Sequence, residues 1–377
     1  MTPPIISSVR VHSLAAPLSR RFGWSLNWTD QRTATLVEVR TRCGLTGWGD
    51  GFCPSDRLAA HPELILGRSA FEVEAIYDQL RAPAAHQQRP GPNTFGGLDT
   101  ALWDICGQAL GVPVSQLLGP VHRHRVEPYS TALDRQDGPD LAHGLATEAL
   151  SWQAAGFRSM KMKTGYGPDL DVQIVRAVRD AIGPATGLAV DSNCAYDSGT
   201  ALALAARLRP FNLLWWEEPL LAADLAGYAR LAPSGIPIAA GETGSLDSLT
   251  LDYVQPRLVD ILQPEVEIIG LTGARRLSYL CWLNRIRLIP HNWGTAVRTA
   301  AILHWTATIP AITQAPLAPP VMFEFDQTES PFRDAVLTNP FRLHPDGLIP
   351  VPTAPGLGIQ LIPEAVERFR ANLTVIE

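Results

Sequence analysis

Seven short apolar runs in this chain each end in an ionisable residue, and these residues recur at nearly constant intervals. Lys163, Asp191, Glu217, Glu242, Glu265, His291 and Glu324 are separated by 28, 26, 25, 23, 26 and 33 positions. That interval is the length of one strand, loop and helix. The runs fall at 157–163, 187–193, 213–219, 236–243, 259–265, 286–292 and 321–326, with an eighth strand at 126–133 ahead of them. Stretches such as "LDVQIVRAVRDAIG" and "TGARRLSYLCWLN" fill the gaps with helical periodicity. Eight strands alternating with helices predict a (β/α) barrel, in which every strand finishes at the same face. A single charged strand end reads most simply as a helix cap or loop carboxylate. Seven in phase converge on one mouth.

Upstream the texture differs. "IISSVRVHSL" and "TATLVEVRT" alternate as strands, and "GLTGWGDG" reads as a hairpin turn. Between the two strands, "PLSRRFGWSLNWTDQR" is expected to form a long polar loop, with Phe22, Trp24 and Trp28 either covering a site or simply packing. Residues 70–118 turn helical, so an α+β segment of about 120 residues precedes the barrel. "VPTAPGLGIQLIPEAVERFRANL" near the C-terminus changes texture again and is expected to return to the first domain.

Composition narrows the function classes. Hydrophobic residues make up 46% and charged residues 18%, the balance of a globular enzyme, and the net charge of −6 offers no basic face for nucleic acid. The five cysteines form no CxxC pair, which argues against a disulfide framework or zinc ribbon and for a reducing compartment. The first residues lack the charged start and apolar core of a signal peptide, and no run of ~18 apolar residues suggests a membrane span. A cytoplasmic location and no membrane partner are expected.

Three successive strand ends carry carboxylates, Asp191, Glu217 and Glu242, and their repulsion needs a cation. All-oxygen donors without cysteine or a histidine cluster point to a hard ion, Mg²⁺ over zinc. Glu218 is expected on the opposite side of its strand in a structural role. "KMK" sets Lys161 and Lys163 on the same face of one strand. At ~5.5 Å and an effective dielectric of ~20 they repel by about 3 kcal/mol, roughly 2 pK units. Repulsion alone would lower one lysine from ~10.4 towards 8, within reach of general-base duty. His304, within a helical run, reads as a core or interface histidine.

In this order and spacing, "GLTGWGDG", "GLDTALWDICGQALGVPVSQLLG", "KMK", "VDSN", "WWEEP", "AAGET", "QPE" and "PHNWGTAV" resemble the mandelate racemase subgroup of the enolase superfamily across nearly the whole chain. "APGLGI" is similar to text in acid-sugar dehydratases and galactarolactone cycloisomerases of that subgroup. The resemblance implies an α/β fold, a modified TIM barrel (β/α)7β with an N-terminal α+β capping domain completed by the C-terminal segment. The expected divisions are 1–122, 123–350 and 351–377. It further implies that Asp191, Glu217 and Glu242 bind Mg²⁺ and that Asn193 contacts the substrate. Lys163 would be the base and Lys161 its tuning neighbour. His291, paired with Glu265 where aspartate is usual, would be acid or base on the opposite face. Glu324, if protonated, would donate a hydrogen bond to an enediolate. Phe22 and Trp24 would close over the substrate, and a homo-oligomer is expected.

The implied chemistry is α-proton abstraction from a carboxylate. With a leaving hydroxyl or ring oxygen at the β-carbon the outcome is dehydration or lactone opening of a sugar acid to a 2-keto-3-deoxy acid. With none it is racemisation or epimerisation. A non-catalytic barrel that binds metal or sugar acids, and a phosphate-binding barrel using "HNWGTAV", are the readings from other classes.

Overall fold

The computed structural model describes all residues except 1, 26, 83–93, 139, 314 and 316–318. Two sheets organise it. The first is antiparallel, with β1 (Ile6–Gly23), β2 (Trp28–Thr41) and β3 (Thr46–Asp50) in sequence, and the C-terminal strand β13 (Arg370–Ile376) lies beside β1. The C-terminus therefore returns to the first domain as an added strand. The expected loop at 17–32 is instead most of a long hairpin, because β1 and β2 stay paired from Ile6–Thr41 to Gly23–Trp28. A register irregularity between Pro17 and Phe22 breaks the alternation there, which is why the sequence reads as coil.

The second sheet is parallel and curls on itself. Its strands are β4 (Arg125–Thr131), β5 (Ser159–Lys163), β6 (Gly187–Asp191), β7 (Trp216–Glu217), β8 (Ile238–Ala240), β9 (Ile261–Leu262), β10 (Arg287–Leu288) and β11 (Met322–Asp326). They run in the order β10-β9-β8-β7-β6-β5-β4-β11, and the Glu324 N–H donates to the Pro290 carbonyl at 3.4 Å where β11 meets the end of β10. A short strand, β12 (Ile349–Pro350), pairs antiparallel with β4. Helical segments link each barrel strand to the next. The arrangement is the (β/α)7β barrel with its antiparallel cap.

The barrel interior is a small core of its own, made by Tyr129, Ala189, Trp215, Ala239, Ile261, Ile289 and Met322. Each comes from a different strand or its immediate flank, as expected for a barrel filled by side-chain layers. β5 supplies Lys161 at this level, in register with Ala189. The much larger core lies between strands and helices and continues into the cap.

Close backbone approach docks the cap on the barrel rim. A Cβ on Gly96 would lie 2.1 Å from the Val266 carbonyl oxygen, so only glycine fits where the cap helix Gly96–Leu110 meets the helix after β9. That second helix, Val266–Asn284, breaks at Gly270 (φ 63), and Asp99 enters the break to accept from the Thr272 N–H (2.8 Å) and hydroxyl (2.7 Å). Among the described residues no helix is long and apolar enough to cross a membrane.

His304 sits fully buried in helix Ala296–Thr308, where barrel meets cap. Its Nδ1 accepts from the Ser115 N–H (3.2 Å), and its Nε2 donates to the Leu357 carbonyl (3.1 Å). Both nitrogens are satisfied in the neutral form, and burial holds the imidazole down to about 4. The unfolded chain takes up this proton near pH 6.5 and the folded one only near 4, so stability is lost as pH falls through that window. A shift of this size corresponds to about 3 kcal/mol. A His304→Asn variant is expected to show a shallower loss of stability than the parent between these pH values in urea titrations.

Candidate active site

All seven charged strand ends lie at the C-terminal mouth of the barrel. Register fixes the first three: Lys163 is opposite Asp191, and Asp191 opposite Glu217. Parallel pairing without stagger puts their side chains shoulder to shoulder on the inner face. Glu242 follows β8 directly. Glu265 and His291 form a bridge just beyond β9 and β10, and Glu324 lies within β11.

Lys161 is the deepest of the charged groups and wholly sealed from solvent. Its ammonium donates to Glu217 (2.7 Å), lies 3.0 Å from Glu324 and 3.7 Å from Asp191, and stands over the Tyr129 ring at 5.9 Å. Lys163, above it, donates to Asp191 at 2.6 Å. Burial pulls both ammonium groups down, but the carboxylates outweigh it and hold both above the ordinary lysine value. The expected lowering of one lysine is thus reversed in this arrangement. Lys161 does depress Lys163, but Asp191 at hydrogen-bond distance acts more strongly.

The carboxylates divide in response. Burial pushes all of them up, yet the lysines bring Asp191 below the usual range, and His291 with Lys161 does the same for Glu324. Held below the usual range, the Glu324 carboxyl accepts from the Thr131 hydroxyl (2.5 Å) and the Asn292 N–H (2.9 Å), and the expected donation to an enediolate requires that it first take up a proton. Glu217 and Glu242 stay above the usual range, because burial wins there. One oxygen of each lies within 4.8 Å of the other and of a His291 nitrogen, while Asp191 is turned to the lysines. Glu218 lies beneath the rim with φ 39 and accepts from the Glu242 N–H at 3.3 Å, bracing the strand end beside it.

A hard divalent cation fits this donor set. Four carboxylates (Asp191, Glu217, Glu242 and Glu324) face three cationic groups, Lys161, Lys163 and His291, and among the described residues Asn193 keeps a buried Oδ1 acceptor without a partner. His291 is a poor ligand here. Burial opposes its charge, but Glu242, Glu324 and Glu265 raise it well above the ordinary histidine value, and an imidazolium has no lone pair to give.

Glu265 does hold His291 despite the extra methylene, through a short contact between Oε1 and Nδ1. Its other oxygen accepts from Arg298 (3.2 Å), a buried residue absent from the sequence reading. Arg298 also pairs with Asp50 of the cap (2.7 Å) and with Glu267, while Asp50 accepts from the Thr295 N–H at 2.6 Å. The start of the helix after β10 is thus already occupied by a carboxylate, which removes the ground for a phosphate site there.

The mouth encloses a cavity of about 120 Å³ lined by Phe22, Trp24, Trp293, Lys163, His291 and Glu324 among others. Phe22 and Trp24 meet Trp293 edge to face, at 6.4 and 6.0 Å. Trp28 instead lies between the guanidinium groups of Arg21 and Arg135 (4.7 and 5.1 Å). Sequence reading also missed Trp293 and Asp134, since neither ends a strand. Asp134 follows β4, lines the cavity and is pushed by burial to about 7. Four of the seven non-glycine residues with positive φ, Leu133, Asn193, Cys194 and Glu218, sit on these same strand ends. Backbone strain among the described residues is thus concentrated at the mouth.

Two family models match, "Mandelate racemase / muconate lactonizing enzyme, N-terminal domain" over residues 8–119 and "Enolase C-terminal domain-like" over residues 144–365. The chain belongs to this mandelate racemase/muconate lactonizing enzyme family. Members of the family are enzymes, and relatives of this one are named for sugar acids. A D-galactarolactone cycloisomerase of Agrobacterium fabrum is 34% identical over 97% of this chain and 98% of its own. A D-gluconate dehydratase of Thermoproteus tenax is 26% identical, covering 91% and 72%. The 3,6-anhydro-D-galactonate cycloisomerase from Zobellia galactanivorans superposes with a TM-score of 0.83 at 31% identity, covering 98% and 100%.

Arg298→Gln would leave Asp50 a buried carboxylate without its cation and Glu265 with His291 alone, a loss of about 3–5 kcal/mol. Urea unfolding is expected to show a lower midpoint, and Arg298→Lys, which cannot span three carboxylates, only partial recovery.

Proposed function

We propose that this family member converts a sugar acid or its lactone to a 2-keto-3-deoxy acid by α-proton abstraction and β-elimination. The observation that carries the reading is the placement of two proton carriers around one cavity. Lys163 ends β5 and His291 follows β10, with the carboxylates of β6, β7 and β8 filling the arc between them.

Asp191, Glu217 and Glu242 would hold Mg²⁺, which when bound supplies Lewis-acid stabilisation to the substrate carboxylate and offsets the negative charge that keeps both lysines protonated. Lys161, fixed by Glu217 and Glu324, presents a buried positive charge to the carboxylate of the substrate as its negative charge grows. Lys163, in its neutral form, takes the α-proton. His291 enters as an imidazolium, oriented through Nδ1 by Glu265, and its Nε2 proton passes to the oxygen that departs from the β-carbon. If that oxygen is a ring oxygen, the lactone or anhydro ring opens; if it is a hydroxyl, water leaves. The enol product then ketonises. Phe22, Trp24 and Trp293 exclude water and offer apolar faces to the carbon skeleton. Tyr279, Trp282 and Leu283, exposed on one helix face, support a homo-oligomer.

The reading is tested by incubating the protein with Mg²⁺ and acid sugars or their lactones in D₂O. The expected product is a 2-keto-3-deoxy acid. α-Deuterium exchange without elimination would select a racemase or epimerase, and no exchange with any acid would revive the non-catalytic barrel. Lys163→Met is expected to lose exchange by about 10²–10⁴-fold. His291→Asn should retain exchange while losing elimination, a split that NMR of substrate and product resolves. Chelation by EDTA should abolish both, and added Mg²⁺ should restore them.

A further inference from the structure

Asp134 has no role in the steps above, yet the fold brings it to them. It follows β4 after Leu133, a buried leucine in the left-handed region at φ 59. A bulky residue adopts that conformation only when its surroundings impose it. The turn seals Leu133 in the core and leaves Asp134 in the cavity wall, together with Thr131.

Among the described residues the Asp134 carboxyl makes no hydrogen bond or ion pair, although only 7% of the residue is exposed. The cations near it are already engaged, Arg135, next in the chain, against the Trp28 and Tyr166 rings (5.1 and 5.3 Å). Arg32 donates to Asp326 and Thr328 (both 2.8 Å) with its guanidinium stacked 3.9 Å from Trp293. Arg333 donates to the Asp326 and Thr328 carbonyls, and Lys163 to Asp191. A buried carboxyl with unused acceptor capacity calls for donors from a ligand.

The adjoining chamber, about 440 Å³ beyond His291 under the cap sheet, has the same balance. Its cation beside His291 is Arg298, which already serves Asp50, Glu265 and Glu267. Among the described residues that line the two spaces, the only lysine and arginine are Lys163 and Arg298, both paired with carboxylates.

We propose that Asp134 makes this site select acid sugars with a single carboxylate and an uncharged, hydroxyl-bearing far end, aldonates or lactones, over those with two carboxylates. The proposal rests on the reaction assigned above, in which the first carboxylate lies beside Asp191, Glu217 and Glu242, over the buried charge of Lys161. Hydroxyl groups of the far end donate to Asp134, and the aromatic wall covers their carbons. A second carboxylate brings no donor and meets like charge, unless Asp134 first takes up a proton.

The test is calorimetric binding of galactonate and galactarate, which differ in one terminal carboxylate, with Mg²⁺ present and the pH held above about 8, where Asp134 is ionised. The native protein should bind galactonate at least about tenfold more tightly. Asp134→Asn, isosteric and uncharged, should bring the ratio within about threefold by a gain on galactarate, and Asp134→Ser should do the same. Equal or tighter binding of galactarate by the native protein, or an unchanged ratio in both variants, would overturn the proposal. Deuterium exchange on the same acids separates the two readings. Its absence with the ratio intact counts against the reaction, and its presence with no ratio counts against Asp134.

Discussion

A single ammonium group, that of Lys161, organises the mouth of this barrel. Sealing it from water costs several kcal/mol before any partner is counted. The cost is offset only because Glu217 and Glu324 reach it from β7 and β11, with Asp191 close behind on β6. One side chain thereby ties together four strands, β5, β6, β7 and β11, across the inside of the sheet. The neighbouring carboxylates set the balance above it: Asp191 holds Lys163 above the ordinary lysine value, Glu242, Glu324 and Glu265 hold His291 above the ordinary histidine value, and burial leaves Glu217 and Glu242 above the usual carboxylate range.

The cap is electrically part of this arrangement. Arg298 joins Asp50, at the end of a cap strand, to Glu265, which orients the imidazole. Docking is possible because glycines let the two backbones approach closely. A side chain at Gly96 would enlarge the gap across which Arg298 must reach. The cap thus contributes in two ways, by walling the cavity with Phe22 and Trp24 and by holding the charge network that fixes His291.

Much of the fold was legible in the chain. Apolar runs with charged ends at intervals of 23 to 33 residues specify parallel strands finishing at one face, and the (β/α)7β barrel follows. Where the pattern was broken locally, reading failed. Pro17 and two arginines disguised the long hairpin, although pairing continues across it. Trp293 and Asp134 lie one or more positions past strand ends, where no periodicity points to them. Arg298 looks like any helix arginine until its three partners, drawn from cap and barrel, are in place.

The lysine pair marks the boundary between the two kinds of knowledge. That Lys161 and Lys163 share one face of a strand follows from the two-residue pleat, and no tertiary information is needed. Which way their protonation equilibria move depends on carboxylates 28 to 163 residues away in the chain, at distances set by strand register and barrel closure. Local periodicity decides which residues face the same side. Coulomb energies fall with distance in space rather than along the chain, so the charge each residue carries is settled only once the barrel has closed.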